Sequence, residues 1–278
     1  MNIFLVIAVL GIVEGLTEFL PVSSTGHMIL VGDWLHRFAN AGALSFLESS
    51  EAKVFEVVIQ SGAILAMVVL YFRQFFELVS VPASDSFYSR RGFWLLMLTT
   101  LPALAAGALL HKKIEAHMMT PMYVAIGLAA GAVWILAVEH LLPVSEHKTV
   151  DDVDWKTAIA LGCFQCLALW PGMSRSASMI LGALLLGLRR KSAVEYSFFA
   201  AVPVMVAASL YDIYKHAHEL NAHAIGHIAL GFVIAFVAAL LAIKFFLRYV
   251  TRHTLAAFGW YRLALAAIVL MFLHKAGA

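Results

Sequence analysis

The chain has 278 residues, of which 62% are hydrophobic and only 13% are charged, whereas an average soluble domain carries about 25% charged residues. The apolar residues occur in blocks of about 20, the length that crosses the hydrocarbon core of a bilayer. This composition excludes a soluble globular protein, and a net charge of +2 without a basic tract argues against a nucleic-acid-binding protein.

The first predicted element, residues 2–32, is apolar at both ends but is interrupted by proline, glycine, serine and charged residues. Neither half is long enough to cross a bilayer alone, so we predict a re-entrant helical hairpin. Such a broken backbone is tolerated at membrane depth only where protein or water surrounds it. The segment lacks a positively charged start and a small-residue cleavage site, which argues against a removable signal peptide.

The densest polar cluster, E-G-L-T-E-F-L-P-V-S-S-T-G-H at 14–27, lies in this hairpin. Glu14 and Glu18 are four residues apart and are therefore neighbours on one helical face. Two carboxylates at membrane depth repel each other unless a cation or a shared proton compensates. Because hard cations bind carboxylates together with phosphate oxygens, we predict that this pair binds Mg²⁺ or Ca²⁺. The alternative is a structural pair that neighbouring helices neutralise.

Pro21 ends the first half-helix, and three hydroxyl residues begin the second: Ser23, Ser24 and Thr25. A helix start presents free N–H groups and the positive end of the helix dipole, which together bind anions. We predict that Ser23 and Thr25 bind phosphate, with helix capping as an equal alternative, and that Ser24 attacks or positions a water. His27 is three residues after Ser24, where it can act as general base and then acid; a satisfied core histidine is the alternative.

Six uninterrupted apolar spans are predicted to cross the membrane, at 54–72, 93–110, 121–138, 195–214, 227–247 and 257–273. The first span carries Gln60, which we predict either to hydrogen-bond to residues of the site or to pack between helices. Glu195 opens the fourth span and is predicted to pair with the basic loop at 189–191.

A second broken segment, residues 157–187, precedes the fourth span and contains the motif W-P-G-M-S-R-S. Arg175 is in this break, and an arginine at membrane depth needs an anion, for which phosphate is a good geometric match. The alternative is an ion pair with one of the two acids of the first hairpin. Ser174 and Ser176 flank Arg175 and are predicted to help bind phosphate. Gln165 is predicted to support the residues that bind phosphate without contacting the phosphate itself.

The two broken segments resemble each other at an offset of 151 residues. The identical residues are Gly11, Leu16, Ser23, Met28, Ile29 and Leu30 in the first segment and Gly162, Leu167, Ser174, Met179, Ile180 and Leu181 in the second. Each half has one hairpin followed by three crossings, so the second half must begin on the opposite face of the membrane. We therefore predict one all-α membrane domain, 1–278, with inverted repeats at 1–140 and 157–278 whose hairpins meet near the midplane.

Orientation follows from the loop Lys and Arg residues, most of which lie on the face opposite the N-terminus, for example Arg73, Arg90 and Arg91. This predicts that face to be cytoplasmic and the mouth of the first hairpin to be periplasmic.

Cys163 and Cys166 are expected to be small buried residues rather than a redox pair or half a zinc site. The segment 215–227 has four histidines, and we expect a solvated loop there rather than a metal site.

Three motifs carry a family resemblance: the acidic and hydroxyl cluster at 14–27, F-E-V-V-I-Q-S-G at 55–62 and C-F-Q-C-L-A-L-W-P-G-M-S-R-S at 163–176. Through them the chain resembles, over nearly its whole length, the bacterial undecaprenyl-diphosphate phosphatases known as BacA or UppP. The resemblance implies a multi-pass inner-membrane hydrolase with a periplasmic site. It would convert undecaprenyl diphosphate to the monophosphate, recycle the lipid carrier of peptidoglycan synthesis and confer bacitracin resistance.

The family's functional positions fall on Glu14, Glu18, Ser24, His27 and Arg175. The predicted partners are the polyprenyl diphosphate lipid and the membrane, without nucleic acid, and a homodimer is left open. Attack by a serine and direct attack by water also stay open as mechanisms. The alternative function is a secondary transporter or lipid flippase, because inverted repeats with broken helices are typical of transporters.

Overall fold

The computed structural model describes residues 1–141, 147–216 and 224–276. Within these ranges the predicted all-helical fold is confirmed, and the extended pairing found there is limited to a single bridge between Lys148 and Leu188. The α-helices are α1 (Ile3–Thr17), α2 (Ser24–Phe38), α3 (Ala41–Leu47), α4 (Ser50–Leu70), α5 (Phe72–Ser80), α6 (Arg90–His117), α7 (Pro121–Leu141), α8 (Trp155–Cys166), α9 (Arg175–Leu185), α10 (Arg190–His216), α11 (Ala224–Val250) and α12 (Ala256–Ala276). Short 3₁₀ helices cover Val150–Asp152 and Leu167–Leu169.

In the described part of the chain, six helices are long and apolar enough to cross a membrane. Their candidate spans are Glu51–Leu70, Arg90–Leu110, Pro121–Leu141, Arg190–Asp212, Ile225–Val250 and Ala256–His274. Each overlaps one predicted span, so the number and order of the crossings agree with the sequence prediction. The helices run past the apolar blocks because their end turns carry polar residues that need not lie in the hydrocarbon core.

Polar side chains cap the starts of the short helices α1 and α8. The side chain of Asn2 accepts a hydrogen bond from the Leu5 amide at 3.0 Å before α1, and that of Asp154 accepts one from the Thr157 amide at 2.8 Å before α8. These caps satisfy N–H groups that have no partner within the helix. The starts of α1 and α8 are thus encoded locally.

The short helices α1 and α8 each pack closely against a long helix from the other half of the chain. A Cβ atom at Gly15 of α1 would lie 2.4 Å from the carbonyl oxygen of Ala235 in α11. In the same way, a Cβ atom at Gly162 of α8 would lie 2.5 Å from the carbonyl oxygen of Thr99 in α6. Only glycine allows backbones to approach this closely, which is a common basis of helix association in membranes.

An aromatic core lies beside the segment that joins α1 to α2. Phe19 is fully buried there and packs edge-to-face against Phe198 of α10, with ring centroids 5.2 Å apart. The neighbouring Phe199 contacts Phe75 and Phe87 in the same core. Phe19 therefore anchors the first interruption of the chain to a long helix of the second half.

Two expectations about side chains outside the predicted site are wrong. Cys163 is exposed rather than buried, although Cys166 is half-buried. Glu195 accepts a hydrogen bond from the Tyr88 hydroxyl at 2.6 Å, whereas Arg190 of the basic loop pairs with Glu139. The loop finds its acid on α7 because α7 ends beside the start of α10, a proximity that sequence spacing does not reveal. Of the histidine-rich segment, residues 217–223 lie outside the described ranges.

Candidate active site

Two interruptions of the helical backbone form the centre of the candidate site: the first break, residues 18–23, and the second break, residues 167–174. Each ends on a serine with a left-handed backbone, Ser23 with φ 74° and Ser174 with φ 71°. The side-chain oxygen of Ser23 accepts a hydrogen bond from the Gly26 amide, and that of Ser174 accepts one from the Ala177 amide. Left-handed conformations are unfavourable for serine, and residues held in such conformations cluster at functional sites.

Glu18 connects the two breaks. One of its carboxylate oxygens accepts a hydrogen bond from the Ser24 hydroxyl, and the other lies 3.3 Å from Nη2 of Arg175. The Glu18 side chain is buried, as is most of the Arg175 side chain. Three predicted site residues from opposite halves of the chain are thus brought into direct contact, and the ion pair anticipated as an alternative for Arg175 is formed.

Glu14 lies one turn before Glu18 and is also buried. Its carboxyl group interacts with that of Glu18, and Glu56 of α4 is a further acidic neighbour. Glu56 also borders a cavity of about 340 Å³. The lining of this cavity consists of Leu10, Gly32, Asp33, His36, Leu47, Ala52, Phe55 and Glu56. Glu56 is an acid near the site that the sequence analysis did not select.

The donor atoms of the acid pair determine whether a divalent cation would fit there. Glu14 and Glu18 are neighbouring carboxylates with oxygen ligands of the kind that Mg²⁺ and Ca²⁺ prefer. Among the described residues, no group of three or more His, Cys, Asp or Glu side chains is arranged to hold a metal ion. An ion bound by this pair would therefore take its other ligands from water and phosphate, as Mg²⁺ usually does.

The guanidinium of Arg175 has one N–H donor, Nε, that is not used in a hydrogen bond to the described residues. Its Nη1 donates to the Ser197 carbonyl oxygen at 3.2 Å, and its guanidinium carbon lies 5.8 Å from the centre of the Phe19 ring. In the described part of the chain, the buried Nε atom of Arg175 has no hydrogen-bond partner. An unpaired buried donor is costly, and a phosphate oxygen would satisfy it.

The ring nitrogens of His27 hydrogen-bond to Ser23 and Tyr261 rather than to Ser24. Its Nδ1 lies 2.7 Å from the Ser23 carbonyl oxygen, and its Nε2 lies 2.6 Å from the hydroxyl of Tyr261 in α12. Because a carbonyl oxygen only accepts hydrogen bonds, we assign the proton of neutral His27 to Nδ1. Nε2 then accepts from the Tyr261 hydroxyl, and the two rings are stacked with centroids 5.7 Å apart. Tyr261 was not among the predicted site residues.

The other predicted hydroxyl residues surround the breaks in different ways. Ser23 and Ser174 act as helix caps, which was the alternative reading for Ser23. The Ser176 hydroxyl donates to the Leu20 carbonyl oxygen at 2.7 Å and so links the second half to the first break. Thr25 is exposed on the first turn of α2. Direct phosphate binding by these four serine and threonine residues stays a prediction.

The two glutamines differ in their surroundings. Gln165 of α8 is buried, and neither its amide nitrogen nor its amide oxygen has a partner among the described residues. Gln60 is half-buried on α4. Their supporting roles stay predictions.

Arg262 was also not among the predicted site residues, yet it is completely buried in α12 and hydrogen-bonds to carbonyl oxygens of both breaks. A usable indication was present, because an arginine inside an apolar span is rare and usually functional. The adjoining Tyr261 gave no comparable indication, since tyrosines are common near membrane interfaces.

Comparisons with known proteins give a consistent result. Residues 7–268 match the family described as bacitracin resistance protein BacA. An undecaprenyl-diphosphatase from Solidesulfovibrio magneticus is 50% identical over 267 residues, which cover 96% of this chain and 97% of that protein. Undecaprenyl-diphosphatases from Oleidesulfovibrio alaskensis and Nitrosomonas europaea are 49% and 46% identical, covering 98% and 94% of this chain and 99% and 92% of their own lengths.

Proposed function

The chain belongs to the bacitracin resistance protein BacA family and is an undecaprenyl-diphosphatase, and from this premise we propose that the two helix breaks form its active site. The lipid substrate is undecaprenyl diphosphate, and the alternative of a secondary transporter or flippase has no support from the relatives. The observation that carries the assignment of the site is the contact of Glu18 with both Ser24 and Arg175. This contact joins an acid, a hydroxyl and a cation at buried helix starts.

Phosphate binding is assigned to Arg175 and to the start of α2. The free Nε donor of Arg175 can bind one phosphate oxygen, and its guanidinium charge offsets the charge of the diphosphate. Ser23 satisfies the amides of Gly26 and His27 through its side chain and its carbonyl oxygen. The amides at the very start of α2 are then left for an anion, and the helix dipole favours binding there.

Glu18 is proposed as the group that accepts the Ser24 proton, because their oxygen atoms already share a hydrogen bond. In one route, Ser24 Oγ attacks the terminal phosphorus, undecaprenyl phosphate leaves, and water then hydrolyses the phosphoserine. In the other route, Ser24 and Glu18 orient a water that attacks directly. His27 follows one turn later on α2, and we assign to it the proton of the attacking water, which Nε2 accepts when its hydrogen bond from the Tyr261 hydroxyl opens.

A divalent cation on Glu14 and Glu18 would offset the negative charge of the diphosphate and of the transition state. We expect a chelator to lower phosphate release by purified protein in detergent by at least about tenfold. The negative charge of the transition state is then no longer stabilised by the cation on the acid pair. Restoration by Mg²⁺ or Ca²⁺, measured as phosphate released from undecaprenyl diphosphate, is the expected control result. Full activity in chelator would remove the metal from this proposal, and absence of hydrolysis in detergent with either ion would contradict the proposed enzyme site.

We further propose that α1–α2 and α8–α9 are re-entrant hairpins of inverted repeats, residues 1–140 and 157–278. Two observations support this: α1 packs on α11 while α8 packs on α6, and Ser23 and Ser174 share one backbone conformation. We propose that the protein lies in the inner membrane. The distribution of Lys and Arg between its loops favours the orientation in which the site faces the periplasm.

Tyr261 is proposed to position His27. Tyr261→Phe keeps the stacked ring but removes the hydroxyl at Nε2, so we expect kcat to fall by about fivefold to tenfold, the effect of one hydrogen bond. The same change in a His27→Ala background should have no further effect, because the group that Tyr261 positions is absent. Tyr214→Phe, at an exposed side chain, is the matched control. Equal losses in both backgrounds would show that Tyr261 acts independently of His27.

A further inference from the structure

We propose that Arg262 is a positioning residue that fastens the two helix breaks to each other, and that turnover depends on this connection. The inference rests on the proposed function of the breaks as the active site. It assigns Arg262 no contact with substrate. Its role would be to hold the residues that do make such contacts in register.

The guanidinium of Arg262 lies between the two breaks and α7. Its Nη1 donates to the Pro21 carbonyl oxygen in the first break at 3.2 Å. Its Nη2 lies within hydrogen-bonding distance of the carbonyl oxygens of Gly172, at 2.7 Å, and Met173, at 3.0 Å, in the second break. The carbonyl oxygen of Gly127 in α7 is 3.2 Å from the same nitrogen. Every acceptor in this set is a backbone carbonyl.

The carbonyl oxygens of Pro21, Gly172 and Met173 need a donor because the helices stop at the breaks. A carbonyl at the end of a helix has no amide four residues later to bond with. At membrane depth such a group must find a partner within the protein. A planar guanidinium with several donors in a fixed arrangement can satisfy carbonyls of two segments at once. Arg262 therefore couples the position of one break to that of the other.

Glycines on α7 make room for this arrangement. A Cβ atom at Gly131 would lie 1.9 Å from Nη2 and 2.6 Å from the guanidinium carbon of Arg262. A Cβ atom at Gly127 would lie 2.2 Å from the Pro171 carbonyl oxygen in the second break. The glycine face of α7 thus supports both the guanidinium and the break that it holds.

The proposed catalytic groups are close in sequence to the atoms that Arg262 binds. Glu18 and Ser24 each lie three residues from Pro21, and Arg175 is two residues after Met173. A displacement of either break would therefore change the Glu18 contacts with Ser24 and Arg175. Misplacement of reacting groups by about 1 Å can cost about 100-fold in rate.

A purely structural role for Arg262 is the competing explanation, and Gly131→Ala separates the two. This variant retains Arg262 and its charge but places a methyl group where the guanidinium lies. Gly259→Ala is the matched control, because it adds a methyl group to the same α7–α12 interface. Its new Cβ would lie 2.9 Å from Leu136 Cγ and 3.3 Å from Ile135 Cγ2, so it would meet aliphatic side chains and neither the guanidinium nor the backbone of a break.

The experiment measures kcat, KM and the thermal unfolding midpoint of the full-length protein in detergent with undecaprenyl diphosphate. The variants are Gly131→Ala, Gly259→Ala, Arg262→Lys and the double variant Gly131→Ala/Arg262→Lys. We expect Gly131→Ala and Arg262→Lys each to lower kcat by about tenfold to 100-fold, with KM changed by less than about threefold and the protein still folded. In the double variant the two losses should not multiply, because both act through one guanidinium. Gly259→Ala should keep nearly full activity.

Wild-type kcat in folded Gly131→Ala and Arg262→Lys, or losses that multiply in the double variant, would overturn the proposal. Failure of both variants to fold, with Gly259→Ala intact, would assign Arg262 to assembly of the fold alone and would also overturn it. Ser24→Ala is measured in parallel. If Ser24→Ala is inactive while the Arg262 variants are normal, only this inference fails, whereas a fully active Ser24→Ala removes the proposed active site itself.

Discussion

Glu18→Gln is expected to lower kcat for phosphate release by about 10³-fold, within the range of 10² to 10⁴ typical for loss of a general base. Glutamine has nearly the shape of glutamate, but it lacks the negative charge that accepts the Ser24 proton. It also cannot form the ion pair that holds Arg175 between the breaks. This single substitution therefore removes the activation of the Ser24 hydroxyl and weakens the alignment of the Arg175 guanidinium.

Steady-state kinetics with undecaprenyl diphosphate, at equal amounts of folded protein, would measure this effect. Glu48→Gln is the control, because Glu48 is exposed and pairs with His36 away from the breaks. If Glu18 acts through Ser24, the pair Glu18→Gln/Ser24→Ala should be little worse than either single change, since residues that act as a unit are not additive. A Glu18→Gln enzyme within about threefold of wild type would refute the role of this carboxylate.

Arg175→Lys is expected to reduce kcat by about 10³-fold, the lower end of the effects of arginines that stabilise phosphoryl transfer. Lysine retains the charge, but it has a single donor nitrogen. It cannot bind the Ser197 carbonyl oxygen, the Glu18 carboxylate and a phosphate oxygen with the spacing that the guanidinium provides. The loss should therefore appear mainly in kcat, with a smaller increase in KM.

Arg37→Lys provides the comparison, because Arg37 forms an exposed ion pair with Asp33 one turn away on α2. Such exposed pairs contribute little, so this control should behave as wild type. The kinetic parameters and thermal midpoints of both variants are measured together. An Arg175→Lys enzyme with normal kcat and only a raised KM would mean that Arg175 binds the ground state and the transition state equally and does not favour the transition state.

The ion pair between Arg175 and Glu18 also bears on how substrate enters. Arg175 hydrogen-bonds to Glu18 and to the Ser197 carbonyl oxygen, and its Nε has no hydrogen-bond partner within the described ranges. We propose that a phosphate binds this buried Nε once neighbouring groups move, while Glu18 and Ser197 keep their contacts with Arg175. The two sequence-based readings of Arg175, a phosphate ligand and an ion-pair partner, are thus compatible with each other.

Local patterns in the sequence determined much of this protein. Apolar blocks set the six candidate spans, because a helix needs about 20 apolar residues to cross a bilayer. Proline, glycine and serine marked the breaks, since helices end where the backbone loses donors or leaves the right-handed region. The acid pair and Arg175 were identifiable because charges at membrane depth are costly and need a reason to persist.

Only the tertiary structure decided which of these groups are partners. Spacing along α2 favoured a contact of Ser24 with His27, yet Ser24 bonds to Glu18, and His27 bonds to Tyr261, 234 residues away. The same holds for Arg262, whose partner Pro21 is 241 residues distant. Helical periodicity specifies neighbours within three or four residues, whereas contacts between helices depend on how glycine faces and aromatic side chains pack. The residue types of the candidate site could therefore be predicted from the sequence, but which of these residues contact one another depends on the fold.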